Sequence, residues 1–309
     1  MNTTELNDRT GQAKEIITRE LGQFRAIGVA PGTGWNEGVK TAFKEEESLP
    51  YAEFGVPGSE LEVEGHSKAL KLGEIDGRQT LIIGRVHPNE NTTHPDLRQA
   101  MAFIIGALDD CLDGLIITNG VGTLQGPVGR ERGMVNSLVQ TALLDLMGWA
   151  QRGRKQEPIR VGDVALVDDV KTALLGQFTP LGAGEFVDFY RNGIHRDDDR
   201  YFDIARRAIT GVQGHCPKAQ ARFILGPQFE GPADKMEFRA QGDDVVGMSG
   251  IQEILACTRL GVPFEQIVLA TNGPFEPHTH EENQRTGRRN AEKAAEILRS
   301  LSRAWPVRD

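Results

Sequence analysis

Leu115-Ile116-Ile117-Thr118-Asn119-Gly120 decides the fold: a short apolar run that stops at a hydroxyl, an amide and a glycine. A short, uninterrupted apolar run suits a strand buried on both faces, whereas a strand with one wet face alternates. The same grammar recurs along the chain. Phe24 to Val29 runs into Ala30-Pro31-Gly32-Thr33-Gly34, and Leu81-Ile82-Ile83 into Gly84-Arg85-Val86-His87. Val164 to Val167 runs into Asp168-Asp169, and Phe223-Ile224-Leu225 into Gly226-Pro227-Gln228-Phe229-Glu230. Ile267 to Ala270 runs into Thr271-Asn272-Gly273.

Helical patterns fall at 5–22, 95–108, 135–151, 200–212, 251–260 and 281–303. Strands alternating with helices predict an α/β sheet covered by helices on both faces. Ligands in such sheets bind beyond the carboxyl ends of the strands, where the polar clusters stand. Residues 125–158 depart from this grammar and read as a helical insertion in one domain spanning 1–309.

The 309 residues are enough for a large core, with 39% hydrophobic and 26% charged residues. A net charge of −9 argues against a general nucleic-acid or anionic-membrane surface. Three scattered cysteines give neither a disulfide framework nor a zinc site, and point to a reducing cytoplasm. The start of the chain lacks the pattern of a signal peptide, and no apolar run approaches a membrane span.

Each polar cluster admits a bland reading beside a chemical one. Gly32-Thr33-Gly34 is a turn, or a turn whose backbone N–H groups and hydroxyl meet an anion. It is not a P-loop, since no Gly-Lys-Ser/Thr follows. Arg85 and His87 share a face if the chain stays extended, and either grip phosphate or form a surface ion pair near Glu90. Phe229-Glu230 is a core aromatic beside a solvated acid, or a platform and acceptor for a flat heterocycle. Val246-Gly247-Met248-Ser249 offers a soft contact and a hydroxyl, the latter also a candidate cap for a helix from Ile251. Asn119 and Asn272 are amides able to donate and accept at a purine edge. His278 and His280 lack a third ligand at metal spacing, so no metal is expected. Asp197, Asp198 and Asp199 read as a solvated turn and helix start.

Taken in order, these elements resemble the trimeric class of purine nucleoside phosphorylases and the related methylthioadenosine phosphorylases. The strongest stretch is Gly226-Pro227-Gln228-Phe229-Glu230, then Val246-Gly247-Met248-Ser249, then Thr271-Asn272. Gly65-His66, Gly84-Arg85-Val86-His87 and Thr118-Asn119-Gly120 match earlier elements, and the likeness covers about residues 26–303.

The resemblance implies a three-layer αβα fold with a central mixed, partly barrel-like sheet. It implies a glycosyltransferase of purine salvage that phosphorolyses 6-oxopurine nucleosides such as inosine or guanosine. Inorganic phosphate would be co-substrate with no cofactor, and the assembly a homotrimer or a multiple of it. A purine nucleosidase, a 5′-methylthio-nucleoside phosphorylase and a non-catalytic nucleoside or phosphate sensor are the alternatives. By position, Thr33, Arg85, His87, Asn119, Gly120, Ser249 and His66 would hold phosphate. Phe229, Glu230, Val246, Gly247 and Asn272 would hold the base. Met248, His280 and Asn89 would face the ribose, with His280 reaching the 5′ group. His87, Asn272 and Glu230 would carry the catalytic roles. This chain departs from the family pattern in having Asn89 where an aromatic is usual and Gly120-Val121 for two alanines. It also has Thr123 for a glycine, and Ile194-His195 where a neighbouring subunit's aromatic is expected.

Overall fold

The computed structural model of the protein describes residues 3–57, 59, 67–86, 99–126, 134–152, 158–171, 199–224, 228–274 and 279–308. Its centre is a nine-stranded sheet. The order is β2 (Lys44–Pro50), β3 (Ala69–Ile75), β4 (Arg78–Ile83), β1 (Ala26–Ala30), β5 (Leu112–Thr123), β8 (Val245–Gly247), β7 (Lys218–Phe223), β6 (Val164–Lys171) and β9 (Phe264–Asn272). β9 also pairs with β5, so β5, β8, β7, β6 and β9 close into a mixed five-strand barrel. The closed set is parallel at β5–β9, β6–β7 and β7–β8, and antiparallel at β5–β8 and β6–β9. Small side chains such as Val121, Ala165, Ala219, Val245 and Ala270 fill its interior, as the narrow bore of a small barrel requires.

The two faces of the open part are both covered. Leu81, Ile83 and Leu115 join a core with Ile17 of α1 (Thr3–Leu21), Phe103 of α3 (Ala100–Leu108) and Ile254 of α7 (Ile251–Leu260). Ile82 and Ile116, one residue out of phase, join the opposite core. There they meet Val39 of α2 (Asn36–Ala42), Ile204 of α5 (Asp199–Gln213) and Leu298 of α9 (Ala291–Ala304). This is the expected three-layer αβα architecture with a partly barrel-like mixed sheet. Leu225 aside, which lies outside the described residues, each apolar run named from sequence lies in a strand or at its end.

Three elements differ from expectation. The helix predicted over 281–303 is two helices, α8 (His280–Arg289) and α9, parted at Asn290. Asn290 leaves helical geometry, and its side-chain amide donates to Thr286 O at 2.9 Å. A short amide that bonds the preceding turn competes with helix continuation. β2 escaped the apolar pattern because Lys44, Glu45, Glu46 and Glu47 are exposed at the sheet edge, a charged edge that resists pairing with another chain. β3 and β4 form a hairpin through Asp76-Gly77, with φ of 52° and 75°, the two left-handed positions of a type I′ turn.

Inside the stretch 125–158 lies α4 (Met134–Arg152), packed on α6 (Pro232–Ala240). Arg239 of α6 ties the two, pairing with Asp145 at 2.6 Å and donating to Gly126 O at 2.6 Å. Among the described residues, no helix is long and apolar enough to cross a membrane.

Candidate active site

β5 is the spine of the site. It pairs with β1 from Leu112 to Ile117, with β9 from Leu115 to Gly122, and with β8 at Gly122 and Thr123. The polar run Thr118-Asn119-Gly120 and the following Val121-Gly122 therefore pass the ends of several strands.

Gly32 marks one cluster. A Cβ there would lie 2.3 Å from Arg85 Nη1, 2.6 Å from Thr118 O and 3.0 Å from Asn119 Cα, so only glycine admits this approach. A Cβ at Gly120 would lie 2.9 Å from Thr33 O. Gly32, Thr33, Arg85, Asn119 and Gly120 are thus drawn together. At Gly247, a Cβ would be 3.3 Å from Asn119 Nδ2, which brings β8 to the same place. Ser249 and Gly247 line a small cleft with Asn119.

Gly122 marks a second cluster. A Cβ there would stand 3.0 Å from Asn272 Nδ2 and 3.4 Å from Glu230 Oε1. Asn272, at the end of β9, is buried, and its Oδ1 accepts from Thr271 Oγ1 at 3.2 Å. The Glu230 side chain is also buried and faces Lys235 Nζ at 3.4 Å. Phe229 beside it is 36% exposed, a ring with an open side.

Arg85 is held on three sides. Its side chain is 1% exposed, as is that of Glu253 on α7, and Nε–H donates to the Glu253 carboxylate. Nη1 donates to Thr118 O at 3.0 Å and Nη2 to Ala30 O at 3.2 Å. A guanidinium has five N–H donors, so two stay available to a ligand. Just ahead of it, the Tyr51 hydroxyl donates to Gly84 O. Burial, and then the charge of Glu253, push the Tyr51 pKa well above its ordinary range.

A cavity of about 400 Å³ opens from the first cluster. Thr33 and Arg85 line it, together with Ser67, Lys71, Lys40 of α2, and His280 of α8. His280 sits at the start of α8, where Thr279 and Glu282 cap each other's backbone at 3.2 and 3.1 Å.

A profile of the phosphorylase superfamily matches residues 156–303, which span Phe229, Glu230, Ser249 and Asn272. The purine nucleoside phosphorylase of Mycobacterium tuberculosis is 25% identical over 279 residues, 88% of this chain and 87% of that one. The S-methyl-5′-thioadenosine phosphorylase of Xenopus tropicalis is 26% identical over 254 residues, 75% of each. Residues 156–303 thus carry the phosphorylase superfamily pattern, and most of the chain is similar to purine nucleoside and methylthioadenosine phosphorylases. A solved Schistosoma mansoni purine nucleoside phosphorylase, isoform 2, bound to cytosine and ribose-1-phosphate, shares the fold. Its TM-score is 0.74 at 19% identity, with 97% of each chain covered. These likenesses indicate an enzyme of the pentosyltransferase type.

Among the residues expected from sequence, the structure gathers Thr33, Arg85, Asn119, Gly120, Gly247 and Ser249 at one end. Glu230 and Asn272 meet at the other. Val246 is buried in β8 and Met248 follows that strand. His66, His87, Asn89 and Ile194-His195 lie outside the described residues. Ser249 does not cap α7: Gly250 is the N-cap, with φ 99°, and makes no side-chain bond. A side chain at Gly250 would clash with Gln266, whose Nε2 would lie 2.4 Å from its Cβ.

Three supporting residues of the site were missed. Glu253 pairs with Arg85 from within α7. Gln266 donates to Asn119 Oδ1 at 2.9 Å and so turns the amide's N–H group toward Gly247. Lys235 counters Glu230. No local pattern flags Gln266 or Lys235, because a buried polar residue inside a strand or helix shows its partner only after folding.

Proposed function

We propose that the protein cleaves purine nucleosides with inorganic phosphate, favouring 6-oxopurine nucleosides such as inosine and guanosine, to give free base and ribose 1-phosphate. One observation carries this reading: two polar clusters face the same stretch of β5. Gly120 and Gly122 are two residues apart, on one face of the strand and about 7 Å from each other. A ribosyl purine anchored by its base at Gly122 thereby turns its anomeric carbon toward an anion at Gly32 to Gly120.

In this reading Thr33, Arg85 and Ser249 hold phosphate with His66 and His87, beside the backbone of Asn119-Gly120. Phe229 covers the purine between Val246-Gly247 and Asn272. Glu230 accepts the N1–H of a 6-oxopurine. Met248, Asn89 and His280 face the sugar. As the glycosidic bond breaks, the sugar gains oxocarbenium character and the bonding pair moves into the purine. Arg85 stabilises the phosphate that approaches C1′. Asn272 stabilises the ring at N7 as charge or a proton collects there, an interaction strongest in the transition state. An amide both donates and accepts, which suits O6 and N7 of a 6-oxopurine. The chemistry calls on no metal or organic cofactor, and the enzyme works in this reading as a cytoplasmic homotrimer.

The test is hypoxanthine release from inosine with and without phosphate. Release only with phosphate, accompanied by ribose 1-phosphate, is the expected result. Release without phosphate makes the protein a nucleosidase. Binding without turnover, across inosine, guanosine and 5′-methylthioadenosine, makes it a sensor.

A further inference from the structure

The cavity of about 400 Å³ beside the Gly32-Thr33-Gly34 turn is lined by the cations Lys40, Lys71, Arg85 and Arg288, with Glu37 as the acid among its described lining residues. One face of α8 lines it, with His280, Gln284 and Arg288 at four-residue intervals, a row with a step of about 6 Å along the axis. Lys40 of α2 and Lys71 of β3 also line it. α8 is held against the turn by glycines: a Cβ at Gly287 would lie 2.5 Å from Gly34 Cα. The other cations of the wall already have counter-charges. Arg85 meets Glu253, Lys40 meets Glu37 at 2.7 Å, and Lys71 meets Glu45 at 2.8 Å. Arg288 differs: among the described residues its exposed side chain has no ion-pair or hydrogen-bond partner.

We propose that this cavity takes the 5′-phosphate of a nucleoside 5′-monophosphate, held by Arg288 with Lys40 and Gln284, so that the enzyme phosphorolyses nucleotides as well as nucleosides. The inference rests on the phosphorolysis reading above, with His280 at the 5′ side. The step balances without another reactant. The C1′–N9 bond breaks and its electron pair stays with the purine. An oxygen of monohydrogen phosphate bonds to C1′, and the hydrogen it loses ends on the base. The 5′ ester is untouched, so the products are free base and ribose 1,5-bisphosphate. A charge-assisted contact to a phosphate typically changes affinity by about ten- to a hundredfold.

The experiment compares inosine with inosine 5′-monophosphate, in wild type and in Arg288→Ala and Lys40→Ala. Hypoxanthine release is followed at fixed phosphate, the sugar product is identified by mass, and binding is measured by calorimetry. Expected is a kcat/KM for the monophosphate at least equal to that for inosine, with a doubly phosphorylated sugar product. Arg288→Ala then lowers the monophosphate value about tenfold or more and leaves inosine within about twofold. Turnover of inosine with none of the monophosphate overturns the subsite and leaves the phosphorolysis reading standing, as does an equal loss on both substrates. If neither compound is turned over, the phosphorolysis reading fails. The subsite is then judged by binding: tighter binding of the monophosphate, lost in Arg288→Ala, supports it, and equal binding overturns it.

Discussion

Arg85 and Glu253 set the electrostatics at the place proposed for phosphate. Both side chains are buried, so each is the other's substitute for water. Breaking such a pair by removing one charge costs about 3–5 kcal/mol, most of it from the charge left behind. Glu253→Gln keeps an acceptor for Nε–H but removes the counter-ion. We expect a loss near 3 kcal/mol without phosphate, and a larger rise in melting temperature on adding phosphate than wild type shows, because the anion now supplies the missing charge. Parallel phosphate shifts in the two proteins would sink this account. Asn272→Ala is expected to lower kcat by about a hundredfold, the usual cost of losing a transition-state donor, with a smaller effect on KM for inosine. Steady-state kinetics decide it: a raised KM with kcat intact removes Asn272 from the transition state. Thr33, Arg85 and Asn272 were legible because each ends an apolar run, where a polar residue has little reason to be except for a ligand. Glu253, Gln266 and Lys235 were not. They are polar residues within α7, β9 and α6 that face inward, and inward is defined only by the assembled layers.

α8 shows how an element rather than a residue positions the site. Its Gly287 lies against Gly34, with backbone on both sides and no room for a methyl group. Gly287→Ala therefore has to move α8 or the turn carrying Thr33, since backbone atoms do not rotate away as side chains do. Overpacking of this kind costs about 1–3 kcal/mol, and here the displaced part is the turn proposed to hold phosphate. The expected result is a lower melting temperature together with a KM for phosphate raised several-fold. A stability loss with unchanged phosphate KM would mean that α8 does not set the turn. The apolar pattern located most elements because strands buried on both faces carry long-lived signatures in sequence. It was silent on β2, an edge strand of Lys and Glu, and on the α8–α9 break. That break turns on one side-chain hydrogen bond by Asn290. The Asp76-Gly77 hairpin between β3 and β4 was readable in principle, since an Asp-Gly pair is a strong type I′ signal.

At the scale of the whole molecule, the same buried acid reaches into global stability. Tyr51 and Cys257 are both fully buried in the layer formed by α1, α3 and α7. Burial first, and the Glu253 charge second, raise the pKa of each well above its ordinary value, 9.0 for the thiol and 10.0 for the phenol. The folded protein thus keeps two protons that the unfolded chain gives up in alkali. Unfolding then releases protons, so the stability these groups contribute is present below about pH 9 and is lost as pH rises. Cys257 acts first, from near pH 9, and Tyr51 follows from near pH 10. Each contributes a slope of about 1.4 kcal/mol per pH unit while the folded form stays protonated. Urea midpoints measured from pH 7 to 11 should therefore be flat at first and then fall in two stages. Cys257→Ala should remove the first stage, because alanine has no proton to hold. Tyr51→Phe should remove the second, at the cost of leaving Gly84 O without its phenol donor. Other groups titrate in the same range, so the decisive quantity is the difference between wild type and each variant at every pH. A difference that does not change with pH would show that Glu253 and burial do not hold these protons. The ion pair with Arg85 would then be insulated from the groups packed around it.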